Sequence, residues 1–506
     1  MAKEQKKVGT NKITEGSECV GNVYSYGTYG IDTIRITLKE GVKLPRGDYV
    51  FVKDDEGDPI VYQISYPHWY KPSFDFEESL IVAGGPEKDE HRKRYRCIGI
   101  LVGKLNENGE ISPPMIPIPP LSDVYKCSPD LVKIVTEPLD EWKIAIGANP
   151  ETGRPVYMAL EPLVRQSLLV TGAQGTGKTT AVLTLISRAV EASPSVHFLI
   201  FDWTGEYVSL KERLEDRVKI VFWEEFVTNY VFQKPEVLMA LFEGDPRVSP
   251  GDAVHKALAR ALFESKTQKI TPTKENLKQE IKKAMDQKKI WESTAITAVS
   301  VIDDNVLDEY PRKHPESITS LVTNHNVTIV DFSRSEKMPD DFTLKRRTAS
   351  YMAEEIWNKA VNDRGFGCVI FSDEAHRVCP QFEPFEKIWF KLATEGGRNC
   401  CPFWLVARRL SLVSKNVTVE SQQNIICFNV EDVDRKRIEE DIGTTFSGML
   451  GTLAQGEAMV KSAMAFRVPG QTIHVKFDEV IRPASAGYRA KHRFQAMANS
   501  SKISKQ

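Results

Sequence analysis

The residues with the clearest chemical meaning lie in SLLVTGAQGTGKTTAVLTL, where Gly172, Gly177, Lys178 and Thr179 satisfy the pattern GxxxxGK[ST]. An apolar strand candidate precedes this loop and an amphipathic helix follows it, which is the context that a phosphate-binding loop requires. Backbone N–H groups of such a loop surround nucleotide phosphates, and the helix start adds partial positive charge. Lys178 is predicted to act catalytically by neutralising charge on the γ-phosphate, and the Thr179 hydroxyl to ligate Mg²⁺. The residues of this segment predicted to bind ATP are Gly172, Ala173, Gln174, Gly175, Thr176, Gly177, Lys178, Thr179 and Thr180.

Hydrolysis of a nucleotide requires a second site, with acidic residues, at the end of a strand adjacent to the phosphate-loop strand. The segment GCVIFSDEAH, residues 367–376, supplies these residues. Asp373 is predicted to hold Mg²⁺ through water, and Glu374 to polarise the attacking water. In the alternative interpretation the acidic pair only caps the following segment. The letters DEAH also name a group of helicases, but in those proteins the acidic strand comes much sooner after the phosphate loop. Their QxxGRxGR motif is not found in this sequence.

Two further segments carry charged residues at strand or loop ends. FDWTGEY ends a strand candidate with Asp202 and Glu206, residues that can reach the nucleotide or a neighbouring subunit, and Asp202 is predicted to bind the nucleotide. In KLATEGGRNCCPFWLVARR, Arg398 follows two glycines in a loop between a helix and a strand. An arginine on such a loop suits a finger that reaches a neighbour's γ-phosphate. A solvated surface arginine is the alternative.

The elements that must position these residues begin near residue 143, where short apolar runs alternate with helical stretches. Runs such as VHFLIFD, VTIVDFS and PFWLVA are typical of strands buried on both faces of a parallel sheet. The pattern predicts an α/β nucleotide-binding core over residues 143–480. A charged, mostly helical segment at about 225–320 is predicted to be an insertion in that core.

The N-terminal part of the chain has a different pattern. Residues 17–105 contain short β segments separated by turn signals, with DDEGD as a hairpin turn, which predicts a small β-barrel or sandwich. Five prolines then favour an extended connector over 106–142. Residues 1–16 are predicted to be flexible. Residues 481–506 are predicted to be a basic tail, because six Lys or Arg and no Asp or Glu lie beyond residue 481.

Bulk properties describe a soluble globular protein of several domains: 506 residues, 41% hydrophobic and 27% charged, with a formal net charge of −2. No apolar run is long enough for a membrane span, and the start of the chain lacks the apolar stretch of a signal peptide. A cytoplasmic protein that does not act in a membrane is therefore expected. Eight scattered cysteines without a CxxC pair suggest neither a zinc ribbon nor a disulfide framework.

Taken in order, the β module, the phosphate loop, FDWTGEY, the helical insertion, SDEAH and EGGR resemble the HerA family of hexameric DNA-translocating ATPases, relatives of FtsK. The resemblance covers roughly residues 17–480. It implies a β-barrel assembly domain, a RecA-like P-loop NTPase core with ATP and Mg²⁺, and a homohexameric ring around double-stranded DNA. It also implies cooperation with a nuclease of the NurA type in processing DNA ends. Arg165 matches an arginine that precedes the loop in the family and helps at the nucleotide site; a plain surface residue is the alternative.

Two departures from the family motifs concern arginines. The family's EGRK is EGGR here, so the arginine is displaced by one position to Arg398. The family's SQRP strand end is ARRL here, so Arg408 stands where a glutamine could sense the γ-phosphate. Because arginine cannot accept a hydrogen bond as glutamine does, either nucleotide sensing differs or Arg408 itself contacts phosphate.

Several functions remain open at this point. The first is ATP-driven translocation on duplex DNA, through phosphate contacts that are independent of base sequence. The same motor in anti-phage defence, with a separate effector protein, is the second. The third is a conjugation or secretion ATPase at a membrane, and the fourth is a nucleotide-dependent scaffold with little turnover. Lys178 and Glu374 argue against the scaffold, because a pure binder has no need for a water-polarising carboxylate.

Overall fold

A computed structural model describes most of the chain. The described residues are 14–24, 31–39, 41–70, 94–231, 234, 236–242, 245–306, 308, 314–335, 340–443, 446 and 448–484. The predicted flexible N-terminus lies outside them up to residue 13, and the predicted basic tail from residue 485 onward. The chain divides into two compact units, and the predicted 143–480 core is shared between them. The first unit comprises Met1–Leu163, Ala173–Gly177 and Gln423–Asp478, and the second Val164–Gly172, Lys178–Gln422 and Glu479–Gln506.

The strands and helices of the described residues are numbered in chain order. The strands are β1 Cys19–Tyr24, β2 Thr33–Leu38, β3 Tyr49–Lys53, β4 Pro59–Tyr70, β5 Arg94–Leu105, β6 Ile111–Ser112, β7 Asp123–Lys126, β8 Lys143–Ala148, β9 Pro155–Ala159, β10 Leu168–Thr171, β11 Phe198–Asp202, β12 Val218–Phe222, β13 Val327–Asp331, β14 Val369–Ser372, β15 Phe403–Ala407, β16 Asn424–Cys427, β17 Glu457–Ser462 and β18 Thr472–Phe477. The helices are α1 Pro129–Thr136, α2 Leu160–Arg165, α3 Lys178–Ala192, α4 Leu210–Leu214, α5 Glu224–Val231, α6 Glu236–Met239, α7 Ala253–Thr267, α8 Lys274–Asp286, α9 Glu292–Asn305, α10 Ile318–Asn324, α11 Phe342–Asn362, α12 Ile388–Glu395, α13 Lys415–Glu420 and α14 Asp432–Ile442.

A closed β-barrel forms the N-terminal part of the first unit, as the sequence predicts. Within the described residues its six strands follow the order β2-β1-β7-β3-β4-β5, and β5 pairs back onto β2. Strand β2, TIRITL, alternates exposed and buried positions, which is the two-residue period of a strand with one face on a core. The predicted DDEGD turn joins β3 to β4, which pair antiparallel. Closure removes the free edges that an open sheet of this size exposes.

The barrel extends further along the chain than the predicted boundary at residue 105. Strand β7 lies inside the predicted 106–142 connector and pairs with both β1 and β3. The prolines that predict the connector end at Pro120, so every residue of β7 keeps its backbone N–H for sheet pairing. Strand β6 also lies within the predicted connector and pairs with β5. The five prolines lie between β6 and β7, and the residues after them complete the barrel.

The remaining strands of the first unit form an antiparallel set in the order β16-β17-β18-β8-β9. The second unit contains six parallel strands among its described residues, in the order β12-β13-β11-β14-β15-β10. Strands β11, β13 and β15 are buried at every position, as expected for a parallel sheet covered on both faces. This arrangement confirms the predicted α/β class.

One prediction about strand order is wrong. The strand that ends at the acidic pair, β14, does not lie beside the phosphate-loop strand β10, because β15 pairs with both of them. All three strands are parallel, so their carboxyl ends still meet at one edge of the sheet, where open α/β sheets bind ligands. The strand between them brings a third set of side chains to that edge. Helices α5 to α10 occupy the chain between β12 and β13, where the helical insertion is predicted.

Candidate nucleotide-binding site

The phosphate loop connects β10 to α3, and its glycines adopt backbone angles that other residues avoid. Gly177 has a φ of +113°, and a Cβ atom at this position would lie 2.9 Å from the Cα of Gly456. A side chain at residue 177 is therefore excluded both by conformation and by space. Within the loop, the Thr176 hydroxyl donates to the carbonyl of Ala173 at 2.9 Å. The loop is thus held in shape by its own polar groups.

Lys178 begins helix α3 and is almost completely buried. Its Nζ donates to the carbonyl of Gly172 at 2.7 Å. Burial lowers the pKa of Lys178 to about 8, and the nearby Arg408 lowers it further, whereas Glu374 and Asp373 act in the opposite direction. Lys178 therefore interacts electrostatically with one cation, Arg408, and with the carboxylates of the acidic pair.

The acidic pair follows β14 directly and is buried, with Asp373 5% and Glu374 7% exposed. Burial raises the pKa of Asp373 to about 7, and the neighbouring carboxylates of Asp202 and Glu374 add to the effect. Glu374 has left-handed backbone angles, φ 50° and ψ 56°. Such strain in a residue other than glycine costs about 1–3 kcal/mol and is concentrated at functional sites.

Arg408 follows β15, the strand between β10 and β14, and its Nε lies 2.7 Å from Oε1 of Glu374. His376 approaches the other carboxylate oxygen of Glu374, with Nδ1 3.3 Å away. Burial lowers the pKa of His376, which favours the neutral ring. Glu374 is therefore an oriented carboxylate with a cationic partner, and Arg408 lies at the site.

Asp202, which the sequence predicts to bind the nucleotide, has a clear structural role in the turn that follows β11. Its carboxylate is fully buried and accepts four backbone N–H groups of the turn that follows β11; the donors are Thr204, Gly205, Glu206 and Tyr207, at 2.5–3.2 Å. Burial raises the pKa of Asp202 to about 7, and the adjacent Asp331 raises it as well. The Asp202 carboxylate therefore holds the turn of residues 204–207 in shape.

The turn that is held by Asp202 carries Thr204 and Glu206, and both side chains contact residues of the site. The Thr179 hydroxyl donates to Oε2 of Glu206 at 2.8 Å, and the Thr204 hydroxyl donates to Oδ2 of Asp373 at 2.8 Å. The sequence predicts only that Glu206 can reach the nucleotide or a neighbouring subunit, and it does not predict a role for Thr204. The motif FDWTGEY indicates a special strand end, but its spacing does not reveal which side chain points where.

The two remaining predicted arginines are exposed. Arg165 ends helix α2. Arg398 lies in the loop after α12, and its side chain makes no hydrogen bond or ion pair within the part of the chain that the structure describes. Gly396, two residues earlier, is enclosed: a Cβ there would lie 2.2 Å from the carbonyl of Leu392. The loop backbone is thus fixed while the arginine side chain extends from it.

The donor set fits Mg²⁺. Thr179 and Asp373 offer a hydroxyl and a carboxylate oxygen, which are the hard ligands that Mg²⁺ prefers. Oδ1 of Asp373 accepts no hydrogen bond from any described residue, and the buried carboxylate would gain from a cation. Outside this site, Asp54, Glu56 and Asp58 form an acidic cluster, but Lys104 pairs with all three. Among the described residues, no helix has the length and apolar character needed to cross a membrane.

Comparison with known proteins finds a family model that matches part of the chain and several similar solved structures. Residues 144–356 match the family described as "Helicase HerA, central domain". Solved structures similar to this chain include VirB4 of Thermoanaerobacter pseudethanolicus, at 16% identity and a TM-score of 0.49, covering 67% of this chain and 97% of that one. The bacterial conjugative coupling protein TrwBdeltaN70 is 14% identical with a TM-score of 0.47, covering 70% of this chain and 92% of that one. The genome packaging NTPase B204 from Sulfolobus turreted icosahedral virus 2 is 9% identical with a TM-score of 0.30, covering 61% and 98%. No protein with curated annotation matches the sequence. The match to the HerA central domain covers residues 144–356, which is less than half of the chain, and it states what this part of the chain is similar to.

Proposed function

We propose that this chain is an ATP-driven motor that moves along double-stranded DNA as a homohexamer and processes DNA ends together with a nuclease of the NurA type. The observation that carries the proposal is that Lys178, Glu374 and Arg408 interact at one edge of the parallel sheet. Of these residues, Lys178 lies within the segment 144–356 that matches the HerA central domain. A pure nucleotide binder has no use for a buried, oriented carboxylate beside its phosphate loop.

The chemistry follows from the charges at the site. The loop N–H groups and Lys178 bind the phosphates of ATP, and Lys178 offsets the charge that develops on the transferred phosphoryl group. Glu374 accepts a hydrogen bond from the attacking water and draws its proton away as the water oxygen bonds to phosphorus and the bond to ADP breaks. Thr179 and Asp373 would hold Mg²⁺, which would supply further positive charge to the phosphates when bound.

In this proposal Arg408 interacts with two groups, the carboxylate of Glu374 and the γ-phosphate of ATP. Its ion pair with Glu374 holds the carboxylate in place, and its proximity to Lys178 means that a γ-phosphate between the two cations is attracted by both. Arginine is suited to phosphate because its planar guanidinium offers several donors. We therefore assign Arg408 to the γ-phosphate, in the position that a glutamine occupies in the family motif.

Arg398 is proposed to act on the nucleotide of a neighbouring subunit. It is exposed, and within the described residues its side chain has no intramolecular partner. The enclosed glycine at position 396 keeps the loop backbone fixed. An arginine supplied to a neighbour's phosphates increases turnover by about 10³–10⁵ in nucleotide hydrolases that use one.

The first experiment measures steady-state ATP hydrolysis with and without linear duplex DNA, for the wild type and Glu374→Gln, with mass by light scattering on the same samples. We expect a particle of six chains whose turnover is stimulated by DNA. The variant should lose about 10²–10⁴-fold in rate while retaining ATP binding, because only the proton acceptor is removed. A hexamer that binds ATP without turnover, with or without DNA, would favour the scaffold.

The neighbour's use of Arg398 is tested by mixing two inactive variants, Arg398→Ala and Glu374→Gln. Each mixed ring contains interfaces where an intact Glu374 meets an intact Arg398, so we expect partial recovery of ATP hydrolysis. Arg364→Ala is the matched control, because Arg364 is also an exposed loop arginine of the second unit; it should hydrolyse ATP like the wild type. No recovery in the mixed rings would show that Arg398 does not act across an interface.

A further inference from the structure

Two side chains of the turn after β11 each contact one of the residues assigned to the cation: Glu206 contacts Thr179, and Thr204 contacts Asp373. We propose that the turn Thr204–Tyr207 positions the cation ligands of the nucleotide site, with Glu206 orienting the Thr179 hydroxyl and Thr204 orienting the Asp373 carboxylate. The inference rests on the proposed function, because it takes Thr179 and Asp373 as the residues that hold Mg²⁺. Glu206 and Thr204 are positioning residues in this proposal, since they act through those two ligands.

Glu206 fixes the direction of the Thr179 hydroxyl. The distance from Thr179 Oγ1 to Glu206 Oε2 is 2.8 Å, so the hydroxyl proton is directed at the carboxylate. A hydroxyl binds a cation through its oxygen lone pairs and keeps its proton for a second partner. With the proton committed to Glu206, the lone pairs of Thr179 are available on the other side of the oxygen, where a cation bound by the phosphates would lie.

Thr204 does the same for Asp373. Its hydroxyl donates to Oδ2 at 2.8 Å, whereas Oδ1 accepts no hydrogen bond from the described residues. One oxygen of the carboxylate is therefore anchored and the other is left for a cation. The Thr204 hydroxyl is also 3.3 Å from Asp202 Oδ1, but it has one proton, and the shorter contact is to Asp373.

The turn is rigid enough to act as a support. Four successive N–H groups converge on the buried carboxylate of Asp202, so the backbone of residues 204–207 is fixed relative to β11. The ring of Tyr207 packs edge to face on Phe371 of β14, with ring centroids 4.9 Å apart. The turn is thus held against two neighbouring strands, β11 and β14, and a rigid support of this kind keeps ligand geometry in place.

The test measures Mn²⁺, used as a paramagnetic substitute for Mg²⁺, by electron paramagnetic resonance on the full-length protein saturated with ADP. Removing the partner of a metal ligand typically weakens metal affinity by about 10–100-fold. We expect that loss for Glu206→Ala and for Thr204→Val. Glu206→Gln keeps an acceptor oxygen and Thr204→Ser keeps the hydroxyl, so both should stay close to the wild-type affinity, within about threefold.

Two further measurements separate positioning from loss of structure. ADP affinity in EDTA should be unchanged in all four variants, because the loop and Lys178 bind the phosphates without the cation. Two variants away from the turn serve as controls. Glu191→Ala on α3 removes an exposed ion pair with Arg213, and Thr394→Val on α12 removes a hydroxyl that donates to the Phe390 carbonyl. Both variants should bind Mn²⁺ like the wild type.

The outcomes are distinguishable from a failure of the proposed function. If the wild type binds Mn²⁺ with ADP and Glu206→Ala and Thr204→Val bind it equally well, the positioning role is wrong while the nucleotide site stands. If those variants lose ADP affinity in EDTA to the same extent as Mn²⁺ affinity, the turn has a general structural role and the inference is also wrong. A wild type that binds no Mn²⁺ when it is saturated with ADP would overturn both.

Discussion

Asp202 and Asp373 end neighbouring parallel strands and have the same burial, yet the structure uses them in opposite ways. Strands β11 and β14 pair directly, with Phe201 opposite Ser372. Burial raises the pKa of each aspartate to about 7. The carboxylate of Asp202 accepts hydrogen bonds from four backbone N–H groups. The carboxylate of Asp373 accepts one hydrogen bond, from the hydroxyl of Thr204.

The difference shows that a raised pKa in a buried carboxylate does not by itself identify a catalytic or metal-binding group. What distinguishes the two aspartates is the number of acceptor positions that remain free. Asp202 stabilises a turn, and its contribution to the site passes through the residues of that turn. Asp373 keeps one oxygen unused by the described residues and is the one able to take a ligand.

The largest expected effect in this comparison is that of Asp373→Asn. The amide keeps the size of the side chain and can still accept from Thr204, but it removes the charge that attracts Mg²⁺. We expect ATP hydrolysis to fall by about 10²-fold or more, as for other groups acting at the transferred phosphoryl. The measurement is turnover as a function of Mg²⁺ concentration.

The melting temperature of Asp373→Asn provides the check on this interpretation. Because a desolvated carboxylate with one hydrogen bond is replaced by a neutral group of equal size, thermal stability should be unchanged or higher. A marked loss of stability together with the loss of turnover would mean that Asp373, like Asp202, supports the fold.

Asp202→Asn should have the reverse profile, with the main effect on stability. An amide offers one acceptor oxygen, and its NH₂ group faces N–H donors, so several backbone groups lose their partner. Leaving buried donors without acceptors costs about 1–3 kcal/mol each. Hydrogen exchange followed by mass spectrometry should show faster exchange in the peptide containing residues 204–207, while the same peptide in Asp373→Asn should keep wild-type protection.

The sequence predicts the strand that carries each of these residues better than it predicts the residue's role. Apolar runs identify β11, β14 and β15 because full burial on two faces leaves a strong local signal. The phosphate loop is predictable for the same reason, since its chemistry is contained in eight consecutive residues. Lys178 and Glu374 are found without knowledge of the fold.

Roles that depend on contacts between distant segments are not predictable in this way. The pairing of Thr179 with Glu206 depends on the direction of a turn, and the position of β15 between β10 and β14 depends on the strand order of the sheet. Likewise, β7 is short and follows a proline-rich stretch, so its place in the barrel is visible only from its pairing with β1 and β3. Local patterns carry no information about these choices.

The pH dependence of stability gives a finer test of the two aspartates. Because burial and Asp331 raise the pKa of Asp202 to about 7, the folded protein holds a proton between about pH 4 and pH 7 that the unfolded chain has lost. The contribution of this group to the free energy of unfolding therefore falls as pH rises through that window, by up to about 1.4 kcal/mol per pH unit. Above pH 7 the contribution of Asp202 to the free energy of unfolding no longer changes with pH.

Asp202→Asn lacks this titration, so its destabilisation relative to the wild type should be larger at pH 5 than at pH 8. Urea unfolding at both pH values measures the difference. A destabilisation that instead grows toward pH 8 would mean that the four N–H donors favour the ionised carboxylate more strongly than burial and Asp331 oppose it.

The smallest expected effect concerns the strands that flank the two aspartates. Beside β11, β13 contributes Asp331, a like charge, whereas beside β14, β15 contributes Arg408, an opposite charge to Glu374. Arg408→Gln introduces the glutamine of the HerA motif that this strand end resembles, and it removes the cation that interacts with Lys178. We expect KM for ATP to rise by about 3–10-fold, the loss of roughly 1 kcal/mol of charge attraction, with a smaller change in kcat.

Arg409→Gln is the control for Arg408→Gln, because it makes the same change at the next, equally exposed position and should leave both constants near the wild type. The split between KM and kcat decides what Arg408 does. Loss of a phosphate contact made equally in the bound and reacting states raises KM alone. A fall in kcat at constant KM would instead show that Arg408 acts by holding the Glu374 carboxylate in place. Arg408 would then influence the reaction through a neighbouring carboxylate, as Asp331 influences Asp202 by raising its pKa.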